Sequence, residues 1–101
     1  MRRGTTPAIT LTVDMDITSW TVYVTLKKGG KQLTLLNDAL TMSYADGKTT
    51  IAFALTQQQT LDFSVGSCEV QVRAVHDGTA IATDIQSLDV GRILKEGVID
   101  E

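Results

Sequence analysis

Between Ser19 and Leu35 the chain reads Ser-Trp-Thr-Val-Tyr-Val-Thr-Leu-Lys-Lys-Gly-Gly-Lys-Gln-Leu-Thr-Leu, and no other stretch constrains the fold as tightly. Trp20, Val22, Val24 and Leu26 fall at every second position, with Thr21, Tyr23, Thr25 and Lys27 between them. Successive side chains of an extended strand point to opposite faces, so a period of two assigns one face to a core and the other to water. Gly29-Gly30 supplies the positive φ angles of a tight hairpin turn, and Leu33 and Leu35 resume the alternation against Gln32 and Thr34. The expectation is an amphipathic hairpin, with a buried Trp20 at the centre of a small β-domain.

The same period recurs along the chain. Ile9, Leu11 and Val13 alternate with Thr10 and Thr12 after Pro7, which suits a strand start because its missing N–H costs least there. Leu40, Met42 and Tyr44 alternate with Thr41 and Ser43 after a break at Asn37-Asp38. The Asp46-Gly47 turn then leads into Thr49–Leu55, where Ile51, Phe53 and Leu55 point inward. Ala52 and Ala54 make that strand apolar on its other face too, so it is expected to be central and covered on both sides. Thr56-Gln57-Gln58-Gln59 matches a capping box and predicts a short helical turn that crosses between sheets and delivers Leu61 and Phe63 to the core. Cys68, Val70, Val72 and Ala74 form the next inward row, and Asp77-Gly78 marks a third turn. Thr79 to Val90 reads as a last strand or as a pair broken near Ser87: Ile81 and Ile85 are in phase while Leu88 and Val90 have shifted by one, a slip that a β-bulge near Asp84 to Ser87 would produce.

A chain of 101 residues has room for one core. Its 15 threonines, with valine and isoleucine, favour a pleated surface. The net charge is −3 with no basic cluster beyond Arg2-Arg3, so nucleic acid is not an expected partner. A single cysteine excludes an internal disulfide and argues against structural zinc. Met1-Arg2-Arg3 is followed by Gly4-Thr5-Thr6-Pro7 where a signal peptide needs an apolar run, and no window has the length of a membrane span. The expected setting is a reducing cytoplasm, with no membrane partner.

Catalytic and metal-binding patterns are sparse. His76 is the only histidine and falls in a turn beside Asp77, not where a base would be oriented by a distant acid. Asp14 and Asp16 admit a calcium reading, but no third acidic cluster has ligand-like spacing, and the plainer reading is a turn with solvated acids. Gly29-Gly30 joins two strands and does not precede a helix, so it lacks the setting of a phosphate loop. No enzyme, cofactor, metal or small-molecule substrate is expected.

The predicted architecture is all-β: a two-layer, immunoglobulin-like antiparallel β-sandwich with one short crossing helical turn, a small barrel being the competing form. Residues 1–91 form the domain and 92–101 a C-terminal tail. That tail keeps four large aliphatic residues, Ile93, Leu94, Val98 and Ile99, after the last strand should have ended. They either fold back on their own domain or dock on another chain, and they are the candidate interaction residues.

Three segments carry a family resemblance: Ala45-Asp46-Gly47-Lys48-Thr49-Thr50-Ile51; Leu55-Thr56-Gln57-Gln58-Gln59-Thr60-Leu61 leading to Val70-Gln71-Val72-Arg73; and Asp77-Gly78-Thr79 followed by Asp89-Val90-Gly91-Arg92-Ile93-Leu94-Lys95-Glu96-Gly97-Val98-Ile99. In these the chain resembles small β-domain virion proteins of tailed phages and prophages of Gram-positive bacteria, including those related to baseplate upper proteins. The resemblance implies a structural role in a virion tail, baseplate or neck, with other virion proteins and further copies of itself as partners and no catalytic residues to carry over. Baseplate upper proteins continue into a helical or receptor-facing region that this chain lacks. The alternative function is a carbohydrate- or ligand-binding β-sandwich in which an exposed Tyr23 offers a stacking surface.

Overall fold

The computed structural model describes residues 1–101. Eight strands form two antiparallel sheets: β1 (Ala8–Val13), β2 (Thr21–Lys28), β3 (Lys31–Leu35), β4 (Thr41–Ala45), β5 (Lys48–Ala54), β6 (Gly66–His76), β7 (Thr79–Ala82) and β8 (Gln86–Val90). A 3-10 turn at Asn37–Ala39 precedes β4, and helix α1 (Gln57–Leu61) links β5 to β6. One sheet has the order β1-β5-β4; the other runs β3-β2-β6, with β7 and β8 both along the far side of β6. The architecture is the expected all-β sandwich.

The inward rows predicted from alternation meet as cross-strand pairs. Val22 lies opposite Ala74, Val24 opposite Val72 and Leu26 opposite Val70, and all six are buried. From the other sheet Val13, Ile51 and Phe53 join the same cluster of 15 buried apolar residues. Leu55 and Phe63, flanking α1, complete it. The helix starts on the predicted capping box: the Gln59 amide donates to the Thr56 hydroxyl at 3.1 Å, and the Thr56 amide donates to Gln59 Oε1 at 2.9 Å.

Two of the tight turns take the form their residues demand. Asp46 (φ 54°) and Gly47 (φ 77°), like Asp77 (47°) and Gly78 (80°), hold both central positions in the left-handed region that gives a hairpin turn the twist of its strands. At Gly29-Gly30 only Gly29 has positive φ (57°), so one left-handed residue suffices there. The predicted slip is present but lies at Thr83–Ile85, earlier than the expected Asp84 to Ser87, and it divides the segment into β7 and β8. Arg73 pairs with Ala82 and Val70 with Gln86, leaving three residues opposite two. Side chains patch the broken ladder: the Val72 amide donates to Thr83 Oγ1 at 3.1 Å, and Gln71 Nε2 donates to the Thr83 carbonyl at 2.8 Å.

Three expectations are corrected. Trp20 is on the inward face but only half-buried, stacked on His76 at 5.6 Å between ring centroids. Tyr44 is likewise on the inward face, opposite the fully buried Thr49, yet is 48% exposed. Strand β5 is central, but Ala54 is exposed and Thr50 and Ala52 half-exposed, so its outer face is open. For Trp20 and Tyr44 alternation assigned the face correctly but the side chain is left partly uncovered, whereas on the outer face of β5 no third layer is present.

Buried polar side chains fix the connections. Thr49, fully buried on β5, donates to the Met15 carbonyl at 2.6 Å and accepts from the Ile17 amide at 3.1 Å, holding the 14–18 link over the core. Asn37 extends the β2–β3 ladder by one rung: its Oδ1 accepts from the Val22 amide and its Nδ2 donates to the Trp20 carbonyl, both at 2.8 Å. The segment Met1–Arg3 adds a short parallel bridge to the open side of β8. There the Gly91 amide donates to the Met1 carbonyl at 2.7 Å and the Arg3 amide to the Gly91 carbonyl at 3.0 Å. The chain then crosses into the other sheet as β1.

Candidate assembly surfaces

The tail begins where β8 ends, and main-chain and side-chain bonds lay it back on the domain. Arg2 Nη1 donates to the Arg92 carbonyl at 2.7 Å. Ile93 is half-buried and, with Leu61, packs over Gly4, where φ is +70° and an added Cβ would stand 2.9 Å from Ile93 Cδ1. The positive φ and the close approach both favour glycine at that crossing.

Arg3 is the hub of this region. Its Nε donates to the Phe63 carbonyl at 2.8 Å and its Nη2 to the Leu61 carbonyl at 2.9 Å, satisfying acceptors at the C-terminal end of α1. Its Nη1 pairs with Glu96 at 2.6 Å. Further along, Gln57 and Ile99 bond reciprocally: the Ile99 amide donates to Gln57 Oε1 at 2.8 Å, and Gln57 Nε2 donates to the Ile99 carbonyl at 3.0 Å. The tail backbone is therefore anchored at both ends while most of its apolar side chains are not. Leu94 is 91% exposed, Val98 49% and Ile99 55%. Of the four candidate interaction residues the structure tucks Ile93 inward and leaves Leu94, Val98 and Ile99 in water.

A second surface lies on the outer face of the β3-β2-β6 sheet. Tyr23, 39% exposed, borders a hollow of about 340 Å3 whose walls include Arg73, Val75 and Ala80. Beside it Ile85, carried out by the bulge, overhangs a smaller hollow of about 100 Å3 lined by Thr25, Lys27, Glu69 and Gln71. The remaining chemical candidates are dispersed. His76 Nε2 lies 3.3 Å from Asp77 Oδ2 and its ring is stacked on Trp20. Asp14 approaches Lys48 at 3.9 Å, whereas Asp16 accepts from the Thr18 hydroxyl at 2.7 Å and the Thr18 amide at 3.1 Å. Those bonds hold the Asp16 carboxyl below its ordinary pKa. Asp16 thus serves the turn at Thr18, while Asp14 faces Lys48 across the β1–β5 pair.

No family model and no curated protein matches the chain.

Cys68 lies fully buried on the inner face of β6, and burial pushes its thiol above the ordinary range. The folded protein is expected to resist iodoacetamide and to react at this one thiol once unfolded in urea, measured by mass spectrometry. The pH effect has a definite sign. The thiol is neutral in both states below about pH 8.5, and above it the unfolded chain releases its proton first, so stability falls as pH rises further.

Arg3 and Gln57 are the residues that sequence reasoning did not pick out. Arg2-Arg3 entered only as a basic pair and Gln57 only as part of a cap. Their partners lie 93 and 42 residues away, and no local pattern signals a contact at such separations.

Proposed function

We propose that this chain is a non-enzymatic structural subunit of a tailed-phage or prophage particle, in its tail, baseplate or neck, acting through protein–protein assembly. The observation that carries the assembly reading is the tail: Leu94, Val98 and Ile99 stand in water on a backbone already held by Arg3 and Gln57. Burying an aliphatic side chain of this size contributes about 1.5–3 kcal/mol, and a pre-positioned backbone reduces the ordering entropy that association would otherwise cost. The assignment to a virion rests on the resemblance of the turn, cap and tail segments to phage β-domain proteins.

The test is pull-down against the proteins encoded beside this one. The expected result is capture of a neighbouring tail or baseplate protein by the wild-type chain, and loss of capture by the triple variant Leu94→Ser, Val98→Ser, Ile99→Ser, which keeps Ile93 and Glu96 and hence the tail's attachment. Capture that survives the triple change would count against the tail as the contact surface.

A carbohydrate- or ligand-binding module is the second reading, favoured by the position of Tyr23 on the rim of the 340 Å3 hollow with Arg73 beside it. Aromatic faces at the edge of a concavity suit stacking of a ring. A hit on a glycan array that disappears in Tyr23→Ala would support this reading over the first.

A further inference from the structure

We infer that β4 is a self-pairing edge, and that two copies of this chain join there, β4 against β4, about a two-fold axis. Open edges invite strand addition, and folded proteins blunt them with charge, proline, bulges, shortness or a covering segment. Three edges carry such devices: β3 begins on Lys31, β7 has 4 residues and ends at the bulge, and β8 carries Asp89 and is followed at Gly91 by the bridge to Arg2. Strands β1 and β4 both lack charge, proline and glycine and run in unbroken register with β5, and of the two only β4 leaves a large core-side side chain, Tyr44, 48% exposed.

The hairpin also fixes which peptide groups are free. The two-residue turn at Asp46-Gly47 makes Ala45–Lys48 the hydrogen-bonded rung beside it, so the rungs alternate and fall again at Ser43–Thr50 and Thr41–Ala52. Met42 and Tyr44 accordingly direct their N–H and C=O groups to the open side. Those two residues flank Ser43 symmetrically, which is the arrangement an antiparallel two-fold requires. Pairing about Ser43 sets Met42 of one copy opposite Tyr44 of the other, twice, with both rungs hydrogen-bonded and the two Ser43 residues facing across the axis.

The side chains fit the same register. Tyr44 is on the core-side face yet 48% exposed, and Met42 beside it is half-buried. Across the joint each tyrosine ring receives a methionine from the other copy, a favourable thioether–aromatic contact that also takes the ring out of water. The register brings Asp46 opposite Leu40, so no like charges meet. This surface shares no residue with the tail, and neither the tail contact nor the virion reading is needed for it.

The experiment uses position 43, exposed on the outer face and paired with itself in the proposed dimer. In sedimentation equilibrium the wild-type chain is expected to show a monomer–dimer equilibrium below about 1 mM, the weak end of specific association. Ser43→Lys and Ser43→Glu each place like charges directly opposite and are expected to weaken dimerisation at least about tenfold while melting like wild type. Mixing the two variants is expected to restore the dimer as a heterodimer, which a merely misfolded variant would not do. Ser43→Cys is expected to cross-link on mild oxidation, with Thr10→Cys, exposed on the outer face of β1, as the control that does not. A wild-type chain that stays monomeric to that concentration, or a dimer indifferent to both charges, would overturn the inference.

Discussion

Phe63→Ala is expected to lower unfolding stability by about 4 kcal/mol, a loss visible in a urea titration as a shifted midpoint with an unchanged slope. The ring is 2% exposed and belongs to the single core cluster shared by both sheets. Its backbone is held on both sides: its amide donates to the Thr60 carbonyl at 3.3 Å and its carbonyl accepts from Arg3 Nε at 2.8 Å. A site fixed in this way cannot collapse onto the space left by a removed side chain, which is the condition under which cavity costs are largest. For a domain of this size, whose total stability is about 5–15 kcal/mol, the change consumes a large fraction of the margin and should lower the melting temperature by about 15–25 °C. Phe63→Leu fills most of the volume and is expected to cost only about 1 kcal/mol.

The second large effect is polar. Thr49→Val preserves shape but deletes the hydroxyl that donates to the Met15 carbonyl and accepts from the Ile17 amide. Thr49 and Ile17 are both fully buried, so water cannot replace the lost partner of the Ile17 amide. A buried group left without a partner costs about 1–3 kcal/mol, and with two groups orphaned the expected loss is about 3 kcal/mol. Thr49→Ser, which keeps the hydroxyl and gives up a methyl, should cost about 1 kcal/mol. Hydrogen exchange supplies an independent readout: the Ile17 amide should exchange faster in the valine variant and near the wild-type rate in the serine variant. Equal losses for valine and serine would show that the methyl, and not the hydroxyl, holds the 14–18 connection.

These two positions differ in how visible they are in the sequence. Phe63 follows a capping box and precedes a glycine, and that local grammar marks it, with Leu61, as a residue α1 delivers to the core; the structure buries Phe63 and leaves Leu61 half-buried. Thr49 is in phase with Ile51 and Phe53, so alternation points it inward, but nothing local says that its hydroxyl has partners there. What distinguishes it is the passage of the 14–18 segment overhead, some thirty residues away in the chain. The same holds for Asn37, which reads as a strand breaker and in fact supplies the next rung of the β2 ladder with its side chain.

Alternation by itself determined the β architecture, the face each side chain takes, the turn positions and even the slip in the last strand, because these follow from a backbone of period two and from the few residues that tolerate positive φ. The extent of coverage was decided only in three dimensions. A face-assignment rule says which way Trp20 and Tyr44 point but not whether an opposing layer lies above them. The tail follows the same logic: its hydrophobic content is plain in the sequence, but the division between Ile93, tucked over Gly4, and Leu94, left in water, depends on Arg3 and Gln57 meeting it from distant parts of the chain. Local sequence encodes direction, and packing between remote segments decides burial.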